Sequence, residues 1–256
     1  MNIGFVGAGN MGNALIKGLL KSNQYTIFVY DKVVSKTQEL SGVEFCASVK
    51  EVAEKTDLLI LTVKPNIYDL IISELKEIDY SKIVVSVAAG ITTNYIKETL
   101  SNSTVIRTMP NTPALVGEGM TLIAQNDNDS ALNLVKDIFS CVGKTAIIHE
   151  NLMEAGTALS GSSPAMIYQL IDVMANNALS YGIPKQQAIE IAAQTVFGSA
   201  KMVLETNLHP AQLVDNVCSP GGTTIAAMNT LAKKGFDKTI HCAMDACVEK
   251  TFKMKK

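Results

Sequence analysis

The chain has 256 residues, 47% of them hydrophobic, with 22 basic side chains against 24 acidic ones and a formal net charge of −2. At about 150 residues per domain this length holds one large domain or two modest ones, and the apolar fraction excludes both a disordered chain and a mini-protein that needs staples. No dense internal basic cluster gives an electrostatic reason to expect nucleic acid, and the closing Lys253, Lys255 and Lys256 read as a frayed, solvated tail.

Residues 2–6 form a short apolar run that meets Gly7, after which Ala14, Leu15, Leu19 and Leu20 recur at helical spacing, so the chain opens as strand, tight turn, helix. Residues 25–30, 58–63 and 83–87 repeat the strand pattern without alternation, which suits strands buried on both faces of a parallel sheet. Further short strands are expected at 105–109, 120–124 and 144–149, giving an open, mostly parallel α/β domain over residues 1–150. From 151 to 256 the strand-like runs stop and helices follow: 151–160, a break at Gly161-Ser162-Ser163-Pro164, then a long helix to about Ser180. Gly182 supplies a C-cap, Pro184 opens a helix to about Glu205, Pro210 opens a short one, Gly221-Gly222 precede another, and 237–253 form the last. This all-helical part has more apolar surface than one chain hides, which points to a homo-oligomer.

Five cysteines (Cys46, Cys141, Cys218, Cys242 and Cys247), odd in number and without a CxxC pair, fit a reducing cytosol better than a disulfide framework. The start MNIGFV lacks the features of a signal peptide, and the greasiest runs fall short of the roughly 18 residues that span a bilayer. A cytoplasmic protein with no membrane partner is expected. His149, His209 and His241 are far apart and lack a motif at ligand spacing, so no metal is expected.

Gly7-Ala8-Gly9-Asn10-Met11-Gly12 follows a strand and opens a helix. Gly7 permits the turn, Gly9 admits a diphosphate to the helix N-terminus, and Gly12 allows close packing of the helix on the strand. Asp31 at the end of the second strand is the residue type that takes the ribose hydroxyls of NAD, whereas Lys32 and Lys36 suit the 2′-phosphate of NADP. Val63, Lys64 and Pro65 end one strand and 86–90 end the next. There the small Ala88, Ala89 and Gly90 leave room for a nicotinamide ring. Arg107, the only arginine, suits a structural ion pair or a substrate carboxylate, and Asn111, between two prolines, is a candidate donor in the cofactor crevice. Ser219-Pro220-Gly221-Gly222-Thr223-Thr224 ahead of a helix makes a compact anion nest for a small carboxylate, and 160–163 is a weaker version of it.

GAGNMG, VKP, SVAAG, RTMPNTPALVGEG, TALSGSSPA and above all DNVCSPGGTTIAAM, in order along the whole chain, resemble pyrroline-5-carboxylate reductases. The resemblance implies a Rossmann domain followed by a helical dimerisation and substrate-binding domain. It also implies homodimers that assemble into decamers, and hydride transfer from NAD(P)H to C5 of 1-pyrroline-5-carboxylate, the last step of proline biosynthesis. Thr224 would be the catalytic residue, hydrogen-bonding the ring nitrogen, with Ser219, Gly221, Gly222 and Thr223 around the substrate carboxylate. Gly7, Gly9, Asn10 and Met11 would wrap the diphosphate, Asp31 and Lys32 would face the ribose, and Val63, Lys64, Pro65, Ala88 and Asn111 would complete the cofactor site. By this resemblance NADP(H) is the default cofactor, while Asp31 keeps NAD(H) open. The rival readings are a 3-hydroxyacid dehydrogenase or related imine reductase, which would need a base such as Lys185 or Lys201, and a non-catalytic nucleotide sensor.

Overall fold

The computed structural model describes residues 1–37 and 40–256. It divides into two compact units, Met1–Pro164 together with Cys247–Lys256, and Ala165–Ala246.

In the first unit β1 (Asn2–Val6), β2 (Thr26–Tyr30), β3 (Glu44–Phe45), β4 (Leu58–Leu61), β5 (Ile83–Ser86), β6 (Thr104–Met109), β7 (Gly119–Ala124) and β8 (Gly143–Ile148) form one sheet, ordered β3-β2-β1-β4-β5-β6-β7-β8. Pairing is parallel from β3 to β6, antiparallel between β6 and β7, and parallel again between β7 and β8. Every strand except β3 falls on a run expected from the sequence. A two-residue strand is too short to leave a pattern.

Helices α1 (Asn10–Ser22), α2 (Val49–Lys55), α3 (Tyr68–Glu77), α4 (Thr93–Lys97) and α5 (Asp129–Ser140) connect the strands. Alternate strand residues go to opposite faces. Ile3 and Phe5 pack with Leu15, Leu19 and Phe139 on one side, while Val6, Leu59 and Leu61 pack with Tyr68, Ile72 and Leu75 on the other. Both faces of the central strands are therefore dry, and all four residues of β4 are fully buried. Burial of each large apolar side chain contributes roughly 1.5–3 kcal/mol.

The register decides what this sheet presents. Tyr30, Val6, Leu61, Ser86 and Arg107 lie in one row across β2, β1, β4, β5 and β6. The segments that follow the first four, led by Asp31, Gly7, Thr62 and Val87, therefore leave the sheet along one rim. Strand order reverses at β1 and β4, so the rim contains the crevice where open α/β sheets bind ligands.

After β8 the chain passes through α6 (Met153–Gly156), a π-helical stretch Thr157–Ser162 and α7 (Ser163–Ser180). The expected break at Gly161-Ser162-Ser163-Pro164 is absent; wider turns carry the helix through it. Pro164 has no N–H to give. The Ser160 carbonyl four residues before it accepts the Asn111 amide at 3.0 Å, and the hydroxyls of Thr157, Ser160 and Ser163 donate to the oxygens of Met153, Gly156 and Ala158 at 2.7, 3.0 and 2.8 Å.

The helices α8 (Lys185–Thr206), α9 (Pro210–Val217), α10 (Thr223–Lys233) and α11 (Phe236–Met254) complete the chain. In the second unit the buried hydrophobics are small, Ala175, Ala188 and Ala192, whereas Tyr181 is 82% exposed, Val217 65% and Leu204 61%. Large apolar groups outside and alanines inside invert the order of a self-sufficient core. The end of the chain also departs from expectation. Lys255 and Lys256 are not a frayed tail: they pair with Glu154 and Asp69 at 3.5 and 3.2 Å. Among the described residues no helix is long and apolar enough to cross a membrane.

Candidate functional site

Gly7 sits at φ +105°, and a Cβ there would lie 2.8 Å from Thr62 O. Its N–H donates to Tyr30 O at 2.7 Å, and the Thr62 hydroxyl donates to Gly7 O at 2.5 Å, so the turn is stitched to strands on both sides. At Gly12 a Cβ would stand 2.4 Å from Gly7 O, whereas at Gly9 it would meet nothing within 4 Å. Gly9 is the N-cap of α1 and offers no side-chain cap. The first N–H groups of α1, from Asn10 and Met11 onward, therefore face open space with the positive end of the helix dipole, which is an anion site.

Asp31 is turned toward this loop. Its Oδ2 accepts from Ala8 N–H at 2.7 Å and its Oδ1 from Val33 N–H at 2.8 Å, with Lys36 Nζ 3.9 Å away. Lys32 is exposed beside it. The carboxylate thus fixes the glycine loop.

Farther along the rim, Val63 is half-buried, Lys64 exposed and Pro65 the first residue of the 3-10 turn Pro65–Ile67, while Ala88 is buried. Beneath both segments lies Tyr68, which sequence reasoning passed over. Its phenol donates to Leu61 O at 2.9 Å and lies 3.0 Å from Ser86 Oγ. Burial pushes its pKa up to about 12, partly offset by the hydrogen bonds from Ser86 and from the backbone of Val87 and Ala88. The only sequence signal was a tyrosine three residues after Pro65 at the opening of an apolar helix.

Asn111 is 9% exposed, and its amide is engaged: Nδ2 donates to Ser160 O at 3.0 Å, and Oδ1 accepts from Met120 N–H at 2.9 Å. It ties the loop after β6 to the π-helical stretch. Arg107 is 1% exposed and pairs with the fully buried Glu154 at 3.2 Å and with Glu150 at 3.7 Å, which makes it a structural ion pair.

The second unit holds the nest. Ser219-Pro220-Gly221-Gly222 is a type II turn, with proline at its second position, Gly221 at φ +71° and Gly222 N–H donating to Ser219 O at 3.0 Å. At Gly222 a Cβ would stand 2.4 Å from Ser219 Oγ. Gly222 is the N-cap of α10, again with no side-chain cap, so the N–H groups of Thr223, Thr224 and Ile225 are left for an acceptor from outside. Ser219, Gly221 and Thr223 are exposed, and Gly222 and Thr224 half-buried. The lysines that a hydroxyacid dehydrogenase would use are engaged elsewhere. Lys185 Nζ bonds Asp172 and Asn176 at 2.8 and 2.6 Å on the surface, and Lys201 pairs with Glu205 at 3.6 Å.

A glycine turn opening an uncapped helix on a doubly wound sheet, followed by an all-helical unit with a second uncapped, glycine-opened helix and unburied apolar faces, is the arrangement of a dinucleotide-dependent oxidoreductase of the Rossmann type. Residues 150–254 match the family profile for pyrroline-5-carboxylate reductase dimerisation, and residues 2–90 match that of NADP oxidoreductase, coenzyme F420-dependent. The pyrroline-5-carboxylate reductase of Escherichia coli (strain K12) is 42% identical, the alignment covering 99% of this chain and 98% of that protein. The crystal structure of Plasmodium falciparum pyrroline carboxylate reductase with NADP bound superposes with a TM-score of 0.91 at 30% identity, covering 100% of this chain and 98% of that one. The pyrroline-5-carboxylate reductase from Coxiella burnetii does so with a TM-score of 0.92 at 33% identity over the same shares. The chain belongs to the pyrroline-5-carboxylate reductase family. The match to the dimerisation profile supports oligomerisation.

Proposed function

We propose that the protein reduces 1-pyrroline-5-carboxylate to L-proline with NAD(P)H, the final step of proline biosynthesis. The observation that carries this reading is a pair of helix N-termini, α1 and α10, each opened by a glycine and left without a side-chain cap. One is dressed for a diphosphate, the other for a small carboxylate flanked by hydroxyls.

In this reading Gly7, Gly9, Asn10 and Met11 take the diphosphate, Asp31 and Lys32 border the adenosine ribose, and Val63, Lys64, Pro65 and Ala88 border the nicotinamide. Asn111 acts on that crevice by holding the loop after β6. Ser219, Gly221, Gly222 and Thr223 take the substrate carboxylate through backbone N–H groups and hydroxyls, while the Thr224 hydroxyl hydrogen-bonds the ring nitrogen and fixes the direction of the C=N bond. When bound, the dihydronicotinamide supplies a hydride to C5 of the protonated imine, leaving oxidised cofactor and the secondary amine of proline. The iminium carbon is already electrophilic, so the chain's residues contribute mainly position and orientation. No strong acid, base or metal is required of them.

The adenosine end favours NADPH and still admits NADH. Both oxygens of Asp31 already accept backbone N–H groups, and Lys36 offsets its charge, while Lys32 and Lys36 offer cations to a 2′-phosphate. The unburied apolar faces of the second unit support a homodimer formed through the helical domain, with decamers as its higher assembly. Five free cysteines support a cytoplasmic location.

The test is loss of reduced-cofactor absorbance with purified protein and pyrroline-5-carboxylate, run with NADPH and NADH in parallel, with proline identified as product. Cofactor binding without turnover on this imine overturns the reading.

A further inference from the structure

We propose that residues 254–256 are a positioning latch for the nicotinamide side of the dinucleotide site, with Lys256 as its key. The proposal rests on the reading above, in which the segments at Lys64-Pro65 and Ala88 border the nicotinamide.

The closing residues run against the segment that follows β5. Lys256 N–H donates to Gly90 O at 2.7 Å, and Thr92 returns two bonds to Lys256 O, from its N–H at 3.3 Å and its hydroxyl at 2.8 Å. Gly90 is held at φ +78°, and a Cβ there would lie 2.6 Å from Met254 O, so this glycine leaves room for the passing backbone. These bonds fix the turn two residues beyond Ala88.

The side chains reach the other segment. Lys256 Nζ lies 3.2 Å from Asp69 Oδ2, in the first turn of α3, and 5.5 Å from the centroid of the Tyr95 ring in α4. The Tyr95 hydroxyl donates to the other oxygen of Asp69. Asp69 is the neighbour of Tyr68, whose phenol holds Leu61 O and Ser86 Oγ at the ends of β4 and β5. Lys255 Nζ anchors the tail 3.5 Å from Glu154, the buried carboxylate that Arg107 also holds. A few residues at the end of the chain thereby join the elements that follow both strands bordering the nicotinamide.

The physical consequence is preorganisation. Two loops held before the cofactor arrives lose less freedom when it binds, and the gain appears as cofactor affinity rather than as affinity for the imino acid. Lys256 and Asp69 are partly exposed, their side chains 41% and 60% accessible, so salt weakens this part of the latch.

Three variants test it: the chain ended at Met254, Lys256→Met and Lys256→Arg. The readouts are NADPH affinity by fluorescence titration, the KM values of both substrates, and amide hydrogen exchange of residues 87–93 without cofactor. Ending the chain at Met254 is expected to raise the NADPH Kd and KM about fivefold to tenfold, leave the KM for pyrroline-5-carboxylate within about twofold, and speed exchange at 87–93 about tenfold. Lys256→Met is expected to give a smaller loss of the same kind, and Lys256→Arg to restore affinity. Unchanged exchange and unchanged NADPH affinity overturn the latch, as does a uniform loss in both substrates that Lys256→Arg shares. If the full chain neither binds NADPH nor reduces the imine, the functional reading fails, while the exchange readout on cofactor-free protein still decides whether the tail holds the loop.

Discussion

The phenol of Tyr68 stands 3.0 Å from the hydroxyl of Ser86, so a helix residue joins the end of β4, through Leu61 O, to the end of β5. Both strand ends lead into segments assigned to the nicotinamide. Removing the hydroxyl in Tyr68→Phe leaves the ring packed but strips a partner from two buried polar groups, at a cost of about 1–3 kcal/mol. The cofactor KM is expected to rise more than the imino-acid KM, read by steady-state kinetics and a thermal melt.

The same group sets an alkaline limit. With its pKa raised to about 12 in the folded chain against 10.0 as the ordinary value, Tyr68 ionises more easily once unfolded. Its stabilisation is complete below pH 10 and is lost as pH climbs toward 12, by about 3 kcal/mol at most. Denaturant unfolding at stepped alkaline pH should show this decline in the parent and a shallower one in Tyr68→Phe.

Gly9 and Gly12 differ in the space around them, open at one and closed at the other. A Cβ at Gly12 would stand 2.4 Å from Gly7 O, while one at Gly9 meets nothing within 4 Å. Gly12→Ala should therefore destabilise the free protein by about 1–3 kcal/mol and impair cofactor binding with it. Gly9→Ala should melt within about 1 kcal/mol of the parent yet bind NADPH at least roughly tenfold more weakly, because its methyl takes the diphosphate's place. Equal affinity in Gly9→Ala would remove the diphosphate from that helix end.

Gly7 and Gly12 were legible in the sequence because a tight turn and a close approach restrict a residue through its immediate neighbours. The strands were legible because each dry face demands apolar residues over four or more positions. What escaped depends on partners far along the chain. Tyr68 has meaning only through the register that brings it to Ser86, the ion pair expected of Arg107 finds its partner, Glu154, only on a later helix, and Lys256 has meaning only because residues 254–256 return to Gly90 and Asp69. The helix through 157–162 escaped for a similar reason: the Ser160 carbonyl that Pro164 leaves without a helical N–H is taken by the distant Asn111 amide, and propensity alone favours a break there.

Glu154 is fully buried, and one of its oxygens has no hydrogen-bond partner, so its charge depends on Arg107 and Lys255. Glu154→Ala leaves the buried guanidinium only Glu150, at 3.7 Å, and should cost about 3 kcal/mol. Arg107→Met leaves the carboxylate only Lys255, at 3.5 Å, at a similar cost, and the double variant should be more stable than the sum of the two single losses. Urea unfolding of the four proteins measures the coupling. Additivity would mean that the pair does not interact in solution.

Thr224 carries a prediction that separates chemistry from binding. Thr224→Val keeps the shape of the α10 start and removes the hydroxyl assigned to the ring nitrogen, so kcat/KM for pyrroline-5-carboxylate should fall roughly tenfold to a hundredfold with the NADPH Kd unchanged. Thr224→Ser should retain most of the activity. Full activity in the valine variant would leave the orientation of the imine to the carboxylate nest alone.

Cofactor choice turns on charges around Asp31. Its carboxylate bonds Ala8 and Val33, and Lys36 lies 3.9 Å away, so the negative charge is partly offset before any ribose arrives. Replacing Lys32 and Lys36 together by alanine should lower the NADPH-to-NADH ratio of kcat/KM by about tenfold or more, since each lost charge-assisted bond to a phosphate weakens NADPH alone. Asp31→Asn should act in the opposite direction on the ratio, by removing the repulsion, while its amide oxygen still accepts from Ala8 N–H and holds the loop. If Asp31→Asn instead weakens both cofactors equally, the residue serves the glycine loop and has no part in reading the ribose.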